Sequence, residues 1–292
     1  MGKSNRHHYI PEFFIKAFVG NDNKLSVYNK EKGVIEKLRK SPKQIFFDWN
    51  RNSFVINGHE TDFLEKVYQK GESKFAETHK KLIEKFEAIS ITEFDILHLT
   101  LFIAELYWRI PSQDNAMYGL VKSLNENTSP IILRNKETGK VLPFSELKPL
   151  LSEPAFIESM KKIKAIQDYL NHAEHIVPKN WLIYYLPEDA PQNKILSDNP
   201  TIIKTDNENI LKSELIFPLS SGKTVFHTMG KQLKSIPAKH RVSIDILSFL
   251  QGEKYVCCSD KSYLKSISEI AKIYNTKERI EHLKNEVFKV FE

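Results

Sequence analysis

Four short polar elements in this 292-residue chain carry side chains able to do chemistry. The densest is Arg6-His7-His8-Tyr9-Ile10-Pro11, which sets two imidazoles beside a guanidinium. A histidine titrates near pH ~6.5 and can move a proton, while arginine can clamp an anion such as phosphate. Neighbours on a strand point to opposite faces, so only one of His7 and His8 faces a given pocket. The competing reading is a solvated basic tail. The second element lies on an apolar helix expected over Thr92 to Arg109, where His98, Glu105 and Arg109 fall at relative positions 0, 7 and 11 on one stripe. Glu105 and Arg109 are spaced i, i+4. They either neutralise each other or line a cleft in which an unpaired Arg109 binds an anion. The third is Ser197-Asp198-Asn199-Pro200, read either as a plain turn or as a carboxylate held at strand ends as base or metal ligand. The fourth, Phe217-Pro218-Leu219-Ser220-Ser221-Gly222-Lys223-Thr224, ends like a phosphate-binding loop. Phe217 stands where that loop needs its first glycine, and a strand pattern follows, so we reject it. No Gly-x-Gly-x-x-Gly, His-Glu-x-x-His or Gly-x-Ser-x-Gly occurs. Asp198 to Lys204 only partly imitates the acidic strand of a restriction-type nuclease.

The elements that must position these groups read as follows. An apolar arm, Tyr9 to Phe18, turns into a short helix after Pro11. Leu25 to Tyr28 and Gly33 to Leu38 form a hairpin, and Phe46 to Trp49 with Phe54 to Ile56 a second one. From Thr61 the period becomes helical through Phe86, with Gly71 interrupting it. Thr92 and Asp95 make a capping box for the apolar helix, which Ile110-Pro111 closes. A helix over Asp114 to Leu124 follows, then proline-marked loop over residues 128–150, then a long helix from Ala155 to Ala173. After His175 short strands alternate with Pro187, Pro191, Pro200, Pro218 and Gly222. A helix over 240–250, a strand over Lys254 to Cys258, and helices capped by Asp260 and Thr276 complete the chain. The fold class is α+β in a single domain, 1–292. A helical subregion over about 61–173 packs on a mixed or antiparallel sheet built from N-terminal and C-terminal strands, the latter over about 181–258.

Composition bounds the function without naming it. The formal charge is +6, yet both signs are spread along the chain rather than gathered in a basic tract. Hydrophobic residues at 41% exclude a disordered chain. Cys257 and Cys258 are adjacent in an apolar run, which suits two reduced, buried thiols and neither a structural disulfide nor a zinc site. The opening Met1 to His8 has no apolar stretch after its charges, and the longest apolar run, Ile96 to Trp108, is too short to span a bilayer. A cytoplasmic protein without membrane contact is expected.

Together the polar elements carry a resemblance. His7-His8-Tyr9-Ile10-Pro11 with its aromatic arm, Arg109-Ile110-Pro111, Ser197-Asp198-Asn199-Pro200 and Phe217-Pro218-Leu219-Ser220 occur in the order seen in the bacterial domain-of-unknown-function 4238 family. Glu12 departs from the glutamine commoner in that family. The resemblance implies a one-gene bacterial protein akin to stand-alone antiphage defence genes, and it brings no catalytic mechanism. The expectation is therefore an antiviral effector that hydrolyses nucleic acid as a nuclease or phosphodiesterase. His7 or His8 would transfer the proton, Asp198 act as base or metal ligand and Asn199 orient. Arg6, Arg109 and Glu105 would bind substrate. No cofactor is specified, and a divalent metal stays open. The alternative is a non-enzymatic sensor or toxin-like protein that binds a phage component and acts through a partner. Because the arm is too apolar to stay solvated, it should dock on the core. We expect docking to bring an imidazole within reach of Asp198 or Arg109.

Overall fold

The computed structural model describes residues 5–56, 59–84, 92–173, 177–186, 194–205, 209–233 and 236–291. The leader expectation at Met1 to Ser4, the helical position Phe86, the boundary at His175 and the loop residues Pro187 and Pro191 lie outside them. The N-terminal third contains β1 (Arg6–His8), α1 (Glu12–Ile15), β2 (Ser26–Asn29), β3 (Val34–Ile35), β4 (Phe47–Trp49), β5 (Phe54–Ile56) and β6 (His59–Thr61). Helices α2 (Phe63–Glu84), α3 (Glu93–Arg109), α4 (Asp114–Ser123), α5 (Phe144–Leu151) and α6 (Pro154–Ala173) form the helical middle. Strands β7 (Trp181–Tyr185), β8 (Leu196–Ser197), β9 (Ile202–Ile203), β10 (Leu215–Pro218) and β11 (Lys223–His227) follow. Then come α7 (Ala238–Gln251), β12 (Tyr255–Cys258), α8 (Lys261–Ala271) and α9 (Lys277–Phe288). The fold is α+β, and every strand pairing among the described residues is antiparallel.

One four-stranded sheet, β3-β2-β12-β8, joins strands from the two ends of the chain, as the sequence suggests. Its central strand β12 carries both cysteines, free and buried, with Cys257 opposite Val27 and Cys258 opposite Ser26. The other, β7-β11-β10-β9, is purely C-terminal. One apolar cluster fills the space among the arm, α3 and the inner faces of both sheets, and a second lies between the sheets and α7 to α9.

Helix α3 is the spine. Thr92 Oγ1 accepts from the Asp95 N–H at 3.2 Å while the Asp95 carboxylate accepts from the Thr92 N–H at 2.9 Å, so the capping box forms with aspartate in the third position. At the other end Ile110 is extended, as a residue before proline must be. Between them Ile96, Leu99, Phe102, Ile103 and Leu106 are buried, and α3 packs along α6. Trp108 Nε1 donates to Asp168 Oδ2 on α6 at 2.7 Å, which satisfies a buried indole N–H.

Two local readings are corrected. Phe46 to Trp49 does not pair with Phe54 to Ile56. The N-terminal segment takes that edge instead: β1 pairs β4 with His7 opposite Asp48, and the Asn50 N–H extends the contact to the Asn5 carbonyl at 2.8 Å. Asn50 adopts φ +56°, and β5 pairs β6. Residues 128–150 are also not all loop, since α5 starts at Phe144 and runs through Pro149. Leu147 and Leu151, one turn apart, are buried there, and that burial outweighs the missing N–H of one proline.

The arm docks. Tyr9, Ile10, Phe14, Ile15 and Phe18 are all fully buried. The Phe14 ring meets Phe18, His79, Phe102 and Phe217 at centroid distances of 5.4, 5.5, 5.5 and 5.2 Å. Among the described residues no helix is long and apolar enough to cross a membrane.

Candidate functional site

Docking places the two adjacent histidines in different surroundings, as their alternation on β1 requires. His7 is buried, and its Nδ1 accepts the Asn52 N–H at 2.8 Å, so it fastens β1 to the turn after β4. His8 turns the other way, into a cleft of about 610 Å³ whose wall includes Arg6, Glu12, Lys43, Glu72 and Arg109. The His8 side chain is 13% exposed. Its Nδ1 lies 3.9 Å from Oε1 of Glu12, the first residue of α1, and its Nε2 is buried without a hydrogen-bond partner. Burial lowers the His8 pKa below the usual histidine value; Glu12 and the Pro42 carbonyl oppose the shift, and the nearby Arg109 charge adds to it. Burial thus favours the neutral imidazole, the state able to accept a proton. A carboxylate beside it can stabilise the imidazolium that would form.

Arg109, at the last turn of α3, is buried and donates to Glu72 Oε1 at 2.5 Å. Its guanidinium also lies 4.1 Å from the centroid of the Tyr68 ring. Burial disfavours its charge, but Glu72, Tyr68 and Glu65 outweigh that and leave its pKa above the ordinary value. Arg6 is exposed and rests on the rings of Phe47 and Trp49, at 5.1 Å from each centroid. Glu65 Oε2 accepts from Asn52 Nδ2 at 2.8 Å, linking the cleft floor to the turn that holds His7.

The structure thus gathers His8, Arg6 and Arg109 at one cleft, and it places the remaining candidates elsewhere. Glu105 pairs with Lys162 on α6 rather than with Arg109, although the i, i+4 spacing allowed the latter. The reason is that Glu72 and Lys162 approach from other helices with opposite charge, so Arg109 and Glu105 are each neutralised across a helix interface. Asp198 is buried in the turn after β8 and faces the turn that leads into β12. Its Oδ1 accepts from the Glu253 N–H at 2.8 Å, and its Oδ2 accepts from the N–H groups of Lys254 and Tyr255 at 2.6 and 2.9 Å. Burial raises its pKa against the pull of those three donors. With its lone pairs directed at backbone, Asp198 is a turn staple. Of the arm, the Tyr9 phenol feels it: burial first, and then the Asp198 charge, oppose ionisation of that phenol. Asn199 gives its carbonyl to Ser197 Oγ at 2.8 Å and to Gln251 Nε2, so it belongs to the same turn.

The Phe-Pro-Leu-Ser element proves to be the arm's seat. Phe217 stacks on Phe14, the Leu219 carbonyl accepts from His79 Nε2 at 2.8 Å, and the Ser221 N–H donates to the Ala17 carbonyl at 3.0 Å. Sequence reasoning missed Lys43 and the α2 contributors Glu65, Gln69, Glu72 and Ser73. Those four α2 residues share one helical stripe, a signal present in the sequence but identical to the polar face of any half-buried helix. Among the described residues no group of three or more His, Cys, Asp or Glu side chains is arranged to hold a metal ion.

Comparison with known proteins adds one match. Neither the curated proteins nor the solved structures include a match to the chain. A family model described as a protein of unknown function (DUF4238) matches residues 6–236, a span that holds His8, Arg109 and all four polar elements. The chain belongs to the DUF4238 family.

Proposed function

We propose that the His8 cleft is an acid–base site for phosphodiesters and that the protein is a nucleic-acid hydrolase of bacterial antiphage defence. The observation that carries this reading is the meeting of His8 with Arg6 and Arg109 at one concave surface, from sequence positions about 100 residues apart. The neutral His8 imidazole would accept the proton of the hydroxyl that attacks phosphorus, with Glu12 steadying the imidazolium, and would return that proton to the departing oxygen as its bond to phosphorus breaks. Arg6 and Lys43, on the cleft wall, would bind the phosphate oxygens. Arg109, engaged by Glu72, fixes the floor, and its charge adds to the burial that favours the neutral His8.

A second reading has its own observation. Three carboxylates, Glu12, Glu65 and Glu72, face the three cations of the cleft. That balance suits a sensor that recognises a charged partner surface as well as it suits an enzyme. The two separate on incubation of purified protein with RNA, DNA and nucleotides, with and without divalent metal. Cleavage that falls about 100- to 10,000-fold in a folded His8→Ala variant supports the enzyme. Inertness on every substrate, with phage protection in cells retained, removes the hydrolase and leaves the sensor.

A further inference from the structure

A second cavity lies between the β7-β11 pair and helices α7 and α8. It measures about 360 Å³, at the small end of the range of ligand sites. Its walls are mostly apolar: Tyr184 and Phe226 from the sheet, Ile236, and Val242 and Ile244 from α7. Of the ionisable side chains on its wall, Asp245, Tyr263 and Lys194 are already matched. Asp245 accepts from Tyr263 Oη at 2.6 Å and lies 3.5 Å from Lys194 Nζ, so its carboxylate has both a hydrogen-bond donor and a counter-charge. Lys194 and Asp245 are both buried. Arg241 also lines the cavity. It stands one turn before Asp245 on α7, and its half-buried side chain enters no ion pair or hydrogen bond with the described residues, its Nε being buried without a partner.

A buried guanidinium N–H without an acceptor is a donor that an anion entering the cavity would satisfy. We infer that this cavity binds a small aromatic monocarboxylate. Its carboxylate would pair with the Arg241 guanidinium and its ring would lie against Tyr184 and Phe226. The volume admits one or two fused rings. The fixed Asp245–Lys194 pair adds no net charge, so a monoanion fits better than a dianion. The site shares no residue with the His8 cleft, and its occupancy is independent of whether that cleft is catalytic.

The test is calorimetric titration of the full chain with indole-3-acetate, its uncharged analogue indole-3-acetamide, and adenosine monophosphate as a phosphate-bearing aromatic. Saturable binding of the acid is expected, with the amide and the nucleotide weaker by about tenfold or more. Arg241→Gln should weaken the acid by about 10- to 100-fold, the range for loss of a charge-assisted contact, while Arg241→Lys should lose less. His8→Ala should bind the acid as the parent does. No saturable binding of the acid overturns the inference, as does equal affinity for the amide or unchanged affinity in a folded Arg241→Gln protein. Preference for the nucleotide overturns the carboxylate assignment.

Discussion

Asp198→Ala separates structural from chemical roles most sharply, because the sequence admits both for this residue. The carboxylate is 5% exposed and receives three backbone N–H groups between 2.6 and 2.9 Å. A hydrogen bond to a charged acceptor contributes about 1.5–3 kcal/mol, which for three sets an upper bound of several kcal/mol. Glu253 and Lys254 are exposed, so water can reach their N–H groups once the carboxylate is gone, while the Tyr255 N–H stays less accessible. Burial also penalises the Asp198 charge. Both effects reduce the net loss to about 3 kcal/mol, with Asp198→Asn falling between this and the parent because one acceptor remains. Urea denaturation at pH 7 reads this directly as a lowered midpoint at unchanged slope. Any phosphodiesterase activity, measured per folded molecule at a temperature where both proteins are folded, should be unchanged. A protein destabilised by less than ~1 kcal/mol that has nonetheless lost activity would refute the argument.

Three further outcomes follow from the same geometry. His79 and His227 are buried, and burial, opposed by bonds to the Leu219 and Ser213 carbonyls, lowers each pKa to about 4. Above the unfolded value of ~6.5 both are neutral in either state; between 6.5 and 4 the unfolded chain binds more protons, so stability falls as pH is lowered, by up to ~3 kcal/mol per site. Denaturation midpoints at pH 7, 5.5 and 4.5 should show this slope, reduced in His79→Gln; an equal slope in the variant contradicts it. Phe14→Ala removes the ring that meets Phe18, His79, Phe102 and Phe217 and should cost about 3–5 kcal/mol, with protease cutting near the arm before global unfolding; a thermal midpoint within a degree of the parent's contradicts that. Gly252→Ala sets a Cβ 2.9 Å from Val256 Cγ2 and 3.0 Å from Ser197 Cβ and should destabilise by about 1–3 kcal/mol, whereas a neutral result would mean the turn relaxes freely.

The parts of the fold legible in the sequence are those fixed by local chemistry. The Thr92-Asp95 capping box and Ile110-Pro111 bound α3 to within a residue, and the density of apolar side chains in Tyr9 to Phe18 required that the arm dock. What was not legible depends on partners far apart in the chain. Nothing near Phe47 marks Arg6 to His8 as its neighbour on the sheet, and nothing near Arg109 marks Glu72, 37 residues away, as its counter-ion rather than Glu105. At the site, the histidine pair and Arg109 could be singled out by type. Asp198 could not be sorted, because a carboxylate in a turn looks the same in sequence whether it faces solvent or caps three amides.

The central claim is that His8 is a neutral, cleft-facing base that meets a phosphodiester. It is tested most directly by the pH titration of the His8 ring resonances in solution, assigned by their loss in His8→Gln, alone and with a short oligoribonucleotide. The account predicts a midpoint below ~6.5, as burial requires, and a shift of those resonances on oligonucleotide addition that Arg6→Gln diminishes. A midpoint at or above ~6.5 would contradict it, as would a His8 ring that does not respond to saturating oligonucleotide.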